Sequence, residues 1–520
     1  LWLEADRMGF LLDSITQEKL DNQRDVVKNE RLQRYDNKPY GLNRMHFNEA
    51  FYPEGHPYHR PTIGYMEDLN SANLDDIKTF FLRWYGANNA TLAIIGNFDK
   101  GKALNWVEKY FSDIKRSPSV YSDKQIPIAF EEDQILIREE RVPLPVLKVG
   151  YPTVDFNHED YLPLQALAYI FSGNKSSFLT KNIIDKGFAQ QAYAYQSSRE
   201  LAGAFNFYFK VPSTQSLLIL ESLWKASMFE FEKKGATLSQ LEAFKAQKEN
   251  EIKNRASSLQ SISKALTFGE IFKDNPNYSQ EELLKIRKLS YASLERVYNT
   301  YIKNKPALYQ TTYPIGKKEK WTGINTFKPL KPIKKFINEA EYDTLTFRPI
   351  VSYFDRSIHP KITPTSYREI FDFDTHKWKN GIKVITSTNY MSKINRVDIH
   401  LPAGTKYEPN GQFGTALLLT QMFKEGTVNL DAQSYFDKLE AMGSSLRISS
   451  NYDEITFRLS THDKFMNASI NLVYELINHP AFNQKDFDRL KKKAIQYLDS
   501  KSTNPSFLVD KHFKQSIYGE

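Results

Sequence analysis

The segment from 319 to 370 divides the chain more clearly than any other feature of the sequence. It contains five prolines, at positions 329, 332, 349, 360 and 364, with basic and aromatic residues between them. Segments of this composition favour extended backbone over regular helix or sheet. We therefore expect an extended linker that wraps a surface and separates folded units on its two sides.

Length and composition predict several packed domains. A chain of 520 residues with 41% hydrophobic and 14% aromatic residues has material for roughly three or four domains of ordinary size. The absence of cysteine excludes a disulfide scaffold, a cysteine-ligated zinc site and a thiol nucleophile. It does not fix the cellular compartment.

The net charge of +8 is spread along the chain rather than concentrated in one region. Local basic clusters at 317–320 (KKEK) and 331–335 (KPIKK) are interpreted as solvated linker rather than nucleic-acid contacts. The sequence has no apolar run of about 18 residues, so no membrane span is predicted. No signal peptide is visible, and we expect a chain that is cut at both ends.

Short strands and amphipathic helices alternate outside the linker, which predicts the α+β class. Residues 1–118 read as the remainder of a first domain, with helices and a buried strand at 89–98 (NATLAIIGNF). Residues 131–318 read as a second domain, and residues 371–520 as a third, incomplete one. These three stretches are the first, second and third units of the chain.

The third unit ends with a helix that resembles the start of the chain. Residues 16–30 can be laid on residues 483–497 at an offset of 467, so that Gln17 falls on Gln484 and Asp21 on Asp488. We therefore expect an internal repeat that relates two halves of a longer protein.

Several short motifs, spread along the first and third units in a fixed order, give the sequence a specific resemblance. The first unit contains LWLEADRMGFLL, LDNQRDVVKNERLQ, PYG, FYPEGHPYHRPTIG and NATLAIIGNFD, and the third contains LPAG, KEGT, LEAMGSSLRISSNYDEITFRLS and INHPAFNQKDFDRLK. Together they resemble the pitrilysin/insulinase family of zinc metallopeptidases, the inverzincins. The resemblance implies tandem two-layer α/β sandwich domains of the metallopeptidase type, like those of the processing peptidases.

The family's catalytic motif is H-x-x-E-H on a helix, with a distal glutamate as third zinc ligand. The two histidines bind Zn2+ and the intervening glutamate acts as general base. None of the ten histidines here stands in that motif. The resemblance implies that Glu30 is the distal zinc ligand and that its partners lie before Leu1. Gln23 occupies the place of a further glutamate in many members, where it can hydrogen-bond without adding charge.

The same resemblance places Leu417, Thr420 and Gln421 where the motif residues would stand in the third unit, with Tyr497 opposite Glu30. These four side chains cannot bind zinc as a set. We therefore expect the third unit to be a non-catalytic copy of the first, and the two halves to pair within one chain.

The resemblance implies a zinc-dependent endopeptidase that encloses peptides or unfolded polypeptides and binds them as an added strand on an edge of the first domain. The chain alone, without the motif, is expected to be inactive. Periplasmic localisation is expected, with the cytoplasm as the alternative. A rival hypothesis is a non-catalytic peptidase-like scaffold or partner subunit, and a basic nucleic-acid binder is a remote third.

Taken without the resemblance, Glu30 reads as an ordinary exposed helical glutamate. His56 and His59 have an H-x-x-H spacing, but Pro57 and Tyr58 between them favour a turn over a metal site. The alternating phenylalanines of residues 203–211 predict a strand with one face in the core.

Overall fold

The computed structural model describes most of the chain. The described residues are 1–119, 127–255, 258–333, 350–361, 373–388, 393–501 and 505–519, together with Leu345 and Phe347. Helices and strands alternate through them, as the α+β class predicts.

The described part of the first unit is built from helices. They are α1 (Trp2–Ser14), α2 (Gln17–Arg31), α3 (Asn43–Phe51), α4 (Met66–Ser71), α5 (Leu74–Trp84) and α6 (Lys100–Phe111). Side chains that accept hydrogen bonds from first-turn amides fix three of the starts, those of Thr16 before α2, Asn73 before α5 and Asp99 before α6.

The predicted buried strand at 89–98 is wrong. Its backbone pairs with no strand among the described residues, and the side chains of Leu92 and Phe98 are 47% and 40% exposed. A strand needs a neighbour for its N–H and C=O groups. The described residues place none beside this segment, so the apolar run alone does not form a strand.

The second unit surrounds one six-stranded sheet. Its strands are β1 (Gln134–Glu140), β2 (Val146–Thr153), β3 (Gln191–Ser198), β4 (Gly203–Lys210), β5 (Leu308–Pro314) and β6 (Asn325–Thr326). Its helices are α7 (Tyr161–Ser172), α8 (Leu217–Lys234), α9 (Leu238–Arg255), α10 (Leu259–Lys273), α11 (Tyr278–Arg287) and α12 (Tyr291–Tyr301). The strand order is β3-β4-β2-β5-β1-β6, antiparallel from β3 to β5 and parallel from β5 to β6.

The two faces of this sheet carry different cores. Phe205, Phe207 and Phe209 are fully buried on the face covered by α7, α8 and α12, which confirms the predicted phenylalanine stripe. The opposite face receives α3 through Phe47 and Phe51.

The linker lies against the first unit where the structure describes it. The Ile333 amide donates to the Glu54 carbonyl at 2.8 Å. The Arg356 guanidinium lies 3.9 Å from the Phe10 ring centre and donates to the Tyr110 carbonyl at 2.9 Å. These contacts place the described parts of the linker against the first unit, and the wrapping of the whole segment stays a prediction. The second basic cluster, at 331–335, lies partly outside the described residues.

The third unit begins with a hairpin of β7 (Phe373–Lys377) and β8 (Lys383–Ser387). A separate antiparallel sheet has the order β10-β11-β9 and consists of β9 (Ile394–Leu401), β10 (Ser445–Ser450) and β11 (Ile455–His462). The helices are α13 (Thr415–Met422), α14 (Ala432–Ala441), α15 (Met466–Asn478), α16 (Gln484–Lys501) and α17 (Pro505–Tyr518).

The two segments of the expected repeat are both helices, α2 and α16. The Gln17 amide donates to the Asp21 carboxylate at 2.9 Å, and the Gln484 amide donates to the Asp488 carboxylate at 3.0 Å. The same hydrogen bond therefore occurs one turn into each helix, at an offset of 467 positions, which supports the alignment of the two segments.

The second and third units touch through polar contacts. Lys175 Nζ lies 3.0 Å from the Glu425 carboxylate, and the Asn174 amide donates to the Glu440 carboxylate at 2.7 Å. Helix α9 packs beside α14 at this junction. Among the described helices, none combines the length and apolar character needed to cross a membrane.

Candidate functional site

Glu30 lies in the last turn of α2, directly before a π-helical turn at Leu32–Asp36. Its Oε1 is 2.6 Å from Arg34 Nη1, and the two side chains are 37% and 72% exposed. A carboxylate near the C-terminal end of a helix is disfavoured by the helix dipole, and the neighbouring guanidinium offsets that effect. The carboxylate is therefore accessible and held by one surface cation.

Two arginines on the same helix fix the position of α2. Arg24 Nη2 donates to the Ala72 carbonyl at 2.5 Å. Arg31, only 8% exposed, donates to the Gly64 carbonyl and lies 3.3 Å from Asp36. Both arginines reach the segment around α4, so the helix that carries Glu30 is anchored at two places.

Gln23 precedes Glu30 by two helical turns, about 10 Å along the axis. Its side chain is exposed and forms no hydrogen bond with any residue that the structure describes. The structure thus places Gln23 and Glu30 along one helix without bringing the two side chains together.

The described residues do not form a metal site by themselves. They contain no cluster of three or more His, Cys, Asp or Glu side chains arranged to hold an ion. A catalytic zinc site requires three protein ligands, and Glu30 offers one carboxylate. The chemistry of that donor suits Zn2+, and the other ligands of such a site would have to come from outside the described residues.

The corresponding positions of the third unit carry no ligand set either. Helix α13 packs against α16. Thr420 is 1% exposed and donates to the Leu417 carbonyl at 2.7 Å, while the side chains of Leu417 and Tyr497 are 49% and 52% exposed. Helices α13 and α16, which carry the positions of the third unit that correspond to the expected zinc ligands, thus pack together, with side chains unsuited to zinc.

His56 and His59 belong to a tight turn, as predicted. The His56 ring is 2% exposed and stacks on Tyr52 at a centroid distance of 4.8 Å. Burial lowers the pKa of His56 to about 4, with a smaller contribution from His59. His59 Nδ1 lies 2.8 Å from the Tyr52 carbonyl oxygen. The pair therefore stabilises a turn with neutral imidazole at His56.

Sequence reasoning missed Lys148 and Arg44, two cations at the second face of the six-stranded sheet. The available signal was a lysine inside the otherwise apolar strand VLKVGYP. Since strand side chains alternate between faces, that lysine had to enter the sheet's second face.

Two family models match the chain. The model of the Peptidase M16 inactive domain matches residues 71–248, and the model of Insulinase (Peptidase family M16) matches residues 383–520. The chain belongs to the insulinase (M16) peptidase family. The second match lies in the third unit, which the expected repeat relates to the first unit.

The relatives of this chain include a protein named as a protease and one named as a non-peptidase. Zinc protease PqqE of Helicobacter pylori is 29% identical over 215 residues, which are 40% of this chain and 47% of that protein. Non-peptidase homolog YmxG of Helicobacter pylori is 24% identical over 146 residues, 28% of this chain and 34% of that protein. The chain thus spans about half the length of these relatives, or less.

Two solved structures share the M16 fold. A protease from Helicobacter pylori has a TM-score of 0.53 and 23% identity, covering 58% of this chain and 73% of that one. A peptidase M16 inactive domain from Pseudomonas fluorescens has a TM-score of 0.53 and 16% identity, covering 61% of this chain and 75% of that one. At these identities the likeness concerns the fold alone.

Proposed function

We propose that this chain is part of a zinc-dependent endopeptidase and supplies the distal carboxylate ligand through Glu30. The observation that carries the proposal is the accessible Glu30 carboxylate on a helix anchored by Arg24 and Arg31. Its position in the order of family motifs supports the same role. Gln23 is proposed to hydrogen-bond near the bound metal in the intact protein.

The proposed substrates are peptides or unfolded polypeptides, enclosed between two halves of one chain. The halves are proposed to comprise domains at 1–118 and 131–318, a linker at 319–370, and a non-catalytic copy of the first domain that begins at 371. Residues 1–520 contain no H-x-x-E-H, so they are proposed to be inactive alone. The proposed location of the intact protein is the periplasm.

A second candidate function is a peptidase-like scaffold. It is favoured by the relative named as a non-peptidase homolog and by the match of residues 71–248 to an inactive domain. In such a protein Glu30 would remain as a surface carboxylate paired with Arg34, the arrangement of the present structure.

Cleavage of a quenched fluorescent peptide by the intact protein separates the two functions. The endopeptidase hypothesis predicts cleavage that a chelator abolishes and added Zn2+ restores. Glu30→Gln is expected to reduce that cleavage by at least the roughly 10–100-fold that is typical of losing a group which only supports a metal ligand. Glu18→Gln is the matched control, because Glu18 is an exposed glutamate of the same helix. Absence of chelator-sensitive cleavage by the wild-type protein would favour the scaffold.

A further inference from the structure

A cleft of about 400 Å³ lies between the second and third units, where helix α9 packs beside α14. One wall belongs to α7 and α9 of the second unit, and the other belongs to α14 and the sheet of the third unit. Small-molecule sites in proteins commonly have volumes of roughly 300–1,000 Å³. The cleft is therefore large enough to hold a small organic ligand between the two units.

The α9 wall of the cleft is polar. Four side chains of one helical face, three or four residues apart, line it: Gln247, Asn250, Glu251 and Asn254. Gln247 Nε2 donates to the Glu251 carboxylate at 3.2 Å, and the Asn250 amide donates to the Gly443 carbonyl of the third unit. The side-chain oxygens of Gln247 and Asn250 accept no hydrogen bond from a residue that the structure describes. This wall therefore offers unused hydrogen-bond acceptors.

Glu440 supplies a carboxylate on the opposite wall. Its Oε2 accepts hydrogen bonds from two neutral donors, the Tyr169 hydroxyl at 2.9 Å and the Asn174 amide at 2.7 Å. Among the described residues, none donates a hydrogen bond to its Oε1 and no cationic side chain forms an ion pair with it. Burial raises the pKa of Glu440. Since a charge removed from water is usually paired with an opposite one, this carboxylate lacks its expected partner.

The cleft itself contains no cation that compensates Glu440. Among the described residues that line it, none is a lysine, arginine or histidine. The second carboxylate of the cleft, that of Glu251, is already paired with Lys248, whose Nζ lies 2.8 Å away. The cleft thus combines one uncompensated negative charge with unused acceptors. A cation that carries several N–H groups would satisfy both.

The contact between Asn250 and Gly443 joins the two walls. Gly443 has a φ of +63°, in the left-handed region, and a Cβ at this position would lie 2.4 Å from Asn250 Nδ2. Glycine therefore lets the chain after α14 approach α9 closely, three residues beyond Glu440. Because the walls are held together at this point, the cleft is preformed, which lowers the free-energy cost of binding a ligand.

We propose that the cleft binds an organic ammonium or guanidinium ion, with Glu440 Oε1 as the charged acceptor and the side-chain oxygens of Gln247 and Asn250 as neutral ones. The ligand class follows from the unpaired carboxylate and from the unused acceptors on the facing wall. Such a ligand contacts both units, so it stabilises their packing by mass action. The inference goes beyond the proposed peptidase function and depends on neither zinc nor cleavage.

Isothermal titration calorimetry of the intact protein at pH 7 tests the site with three small probes. Two of them, n-butylguanidinium and n-butylammonium, carry a positive charge, and n-butylurea is a neutral ligand of similar size. At least one of the cations is expected to bind about tenfold more tightly than n-butylurea, the effect of one charge-assisted hydrogen bond.

Three variants locate the binding. Glu440→Gln is expected to abolish the preference for the cation, because it removes the charge and still accepts the hydrogen bonds from Tyr169 and Asn174. Ser445→Phe, at an exposed position of the cleft wall, is expected to weaken cation binding by filling the cleft. Glu242→Gln, at an exposed glutamate of α9, is the matched control and is expected to keep the preference. Circular dichroism checks that each variant is folded.

A further titration identifies the source of the cation. Binding of acetyl-glycyl-arginyl-glycine amide alongside n-butylguanidinium would identify a basic side chain of a peptide, and binding of n-butylguanidinium alone would identify a free small cation. The proposal is overturned if neither cation binds, if neither binds more tightly than n-butylurea, or if the preference survives in folded Glu440→Gln. Should Glu440→Gln not fold, unchanged cation binding by Ser445→Phe overturns it instead.

Discussion

Glu30 Oε1 lies 2.6 Å from Arg34 Nη1, one turn further along the same helical path. Glu30 is partly and Arg34 largely exposed, and surface pairs of this spacing contribute only about 0.3–0.5 kcal/mol. Such a weak contact does not compete seriously with a metal ion for the carboxylate. The arginine therefore holds Glu30 without blocking its proposed role.

Arg31 and Arg34 differ in their importance for stability. Replacing Arg31 with methionine removes hydrogen bonds to the Gly64 carbonyl and to Asp36, and leaves a part-buried carbonyl without its donor. We expect a loss of about 2–3 kcal/mol in the free energy of unfolding, since the lost bonds involve a charged group. Urea unfolding of the intact protein measures it.

Arg34→Met is the matched control for Arg31→Met, because it removes the same side chain from an exposed site three residues away. Its expected cost is below about 0.5 kcal/mol. Equal destabilisation by the two substitutions would contradict the view that Arg31 anchors the helix.

Gly150 allows α3 to approach the sheet. A Cβ at this position would lie 2.4 Å from Phe47 Cζ. Gly150→Ala is expected to destabilise the protein by about 1–3 kcal/mol, the usual cost of overpacking a core. In thermal unfolding, Phe47→Leu combined with Gly150→Ala is expected to recover part of that loss. If the double variant loses at least as much stability as the two single variants lose together, the clash is not with Phe47.

Glu440 makes the junction of the second and third units sensitive to pH. Burial raises the pKa of Glu440, and the charge of Asp437 raises it further, while hydrogen bonds from Asn174 and Tyr169 act against both. Because the folded protein binds this proton more tightly than the unfolded chain, protonation of Glu440 stabilises the fold. This stabilisation is complete below the unfolded pKa of about 4.3. It is lost as the pH rises through the raised, folded pKa.

Glu440→Gln is therefore expected to raise the melting temperature at pH 7 and to leave it nearly unchanged at pH 4. The glutamine carbonyl still accepts the hydrogen bonds that Tyr169 and Asn174 donate to the carboxylate, at 2.9 and 2.7 Å. Glu242→Gln, at an exposed glutamate of α9, is the control. A wild-type protein equal to or more stable than Glu440→Gln at pH 7 would refute the sign of this effect.

Periodicity in the sequence was sufficient to predict the α+β class and part of the helices and strands. Phe205, Phe207 and Phe209 alternate as a one-faced strand must, and the helix α14 begins at the capping Asp431 and is followed by Gly443 in the left-handed region. The segment 89–98 was predicted wrongly, because an apolar run reports a tendency to be buried and says nothing about whether a neighbouring strand exists.

The candidate site was predictable only in part. The position of Glu30 followed from the order of family motifs, and its pairing with Arg34 could have been read from their four-residue spacing. The contact between Lys148 and Phe47 joins residues far apart in the sequence. Local pattern carries no information on such a contact, so the contact required the structure.

The zinc content of the intact protein tests the central claim most directly. Wild-type protein, Glu30→Gln and Glu18→Gln would be purified without added metal, dialysed against the same buffered zinc, and measured by atomic absorption alongside a check of folding by circular dichroism. We predict stoichiometric zinc in the wild type and Glu18→Gln, and a strong loss in folded Glu30→Gln. Equal zinc in all three proteins, or none in the wild type, would contradict the assignment of Glu30 as a zinc ligand.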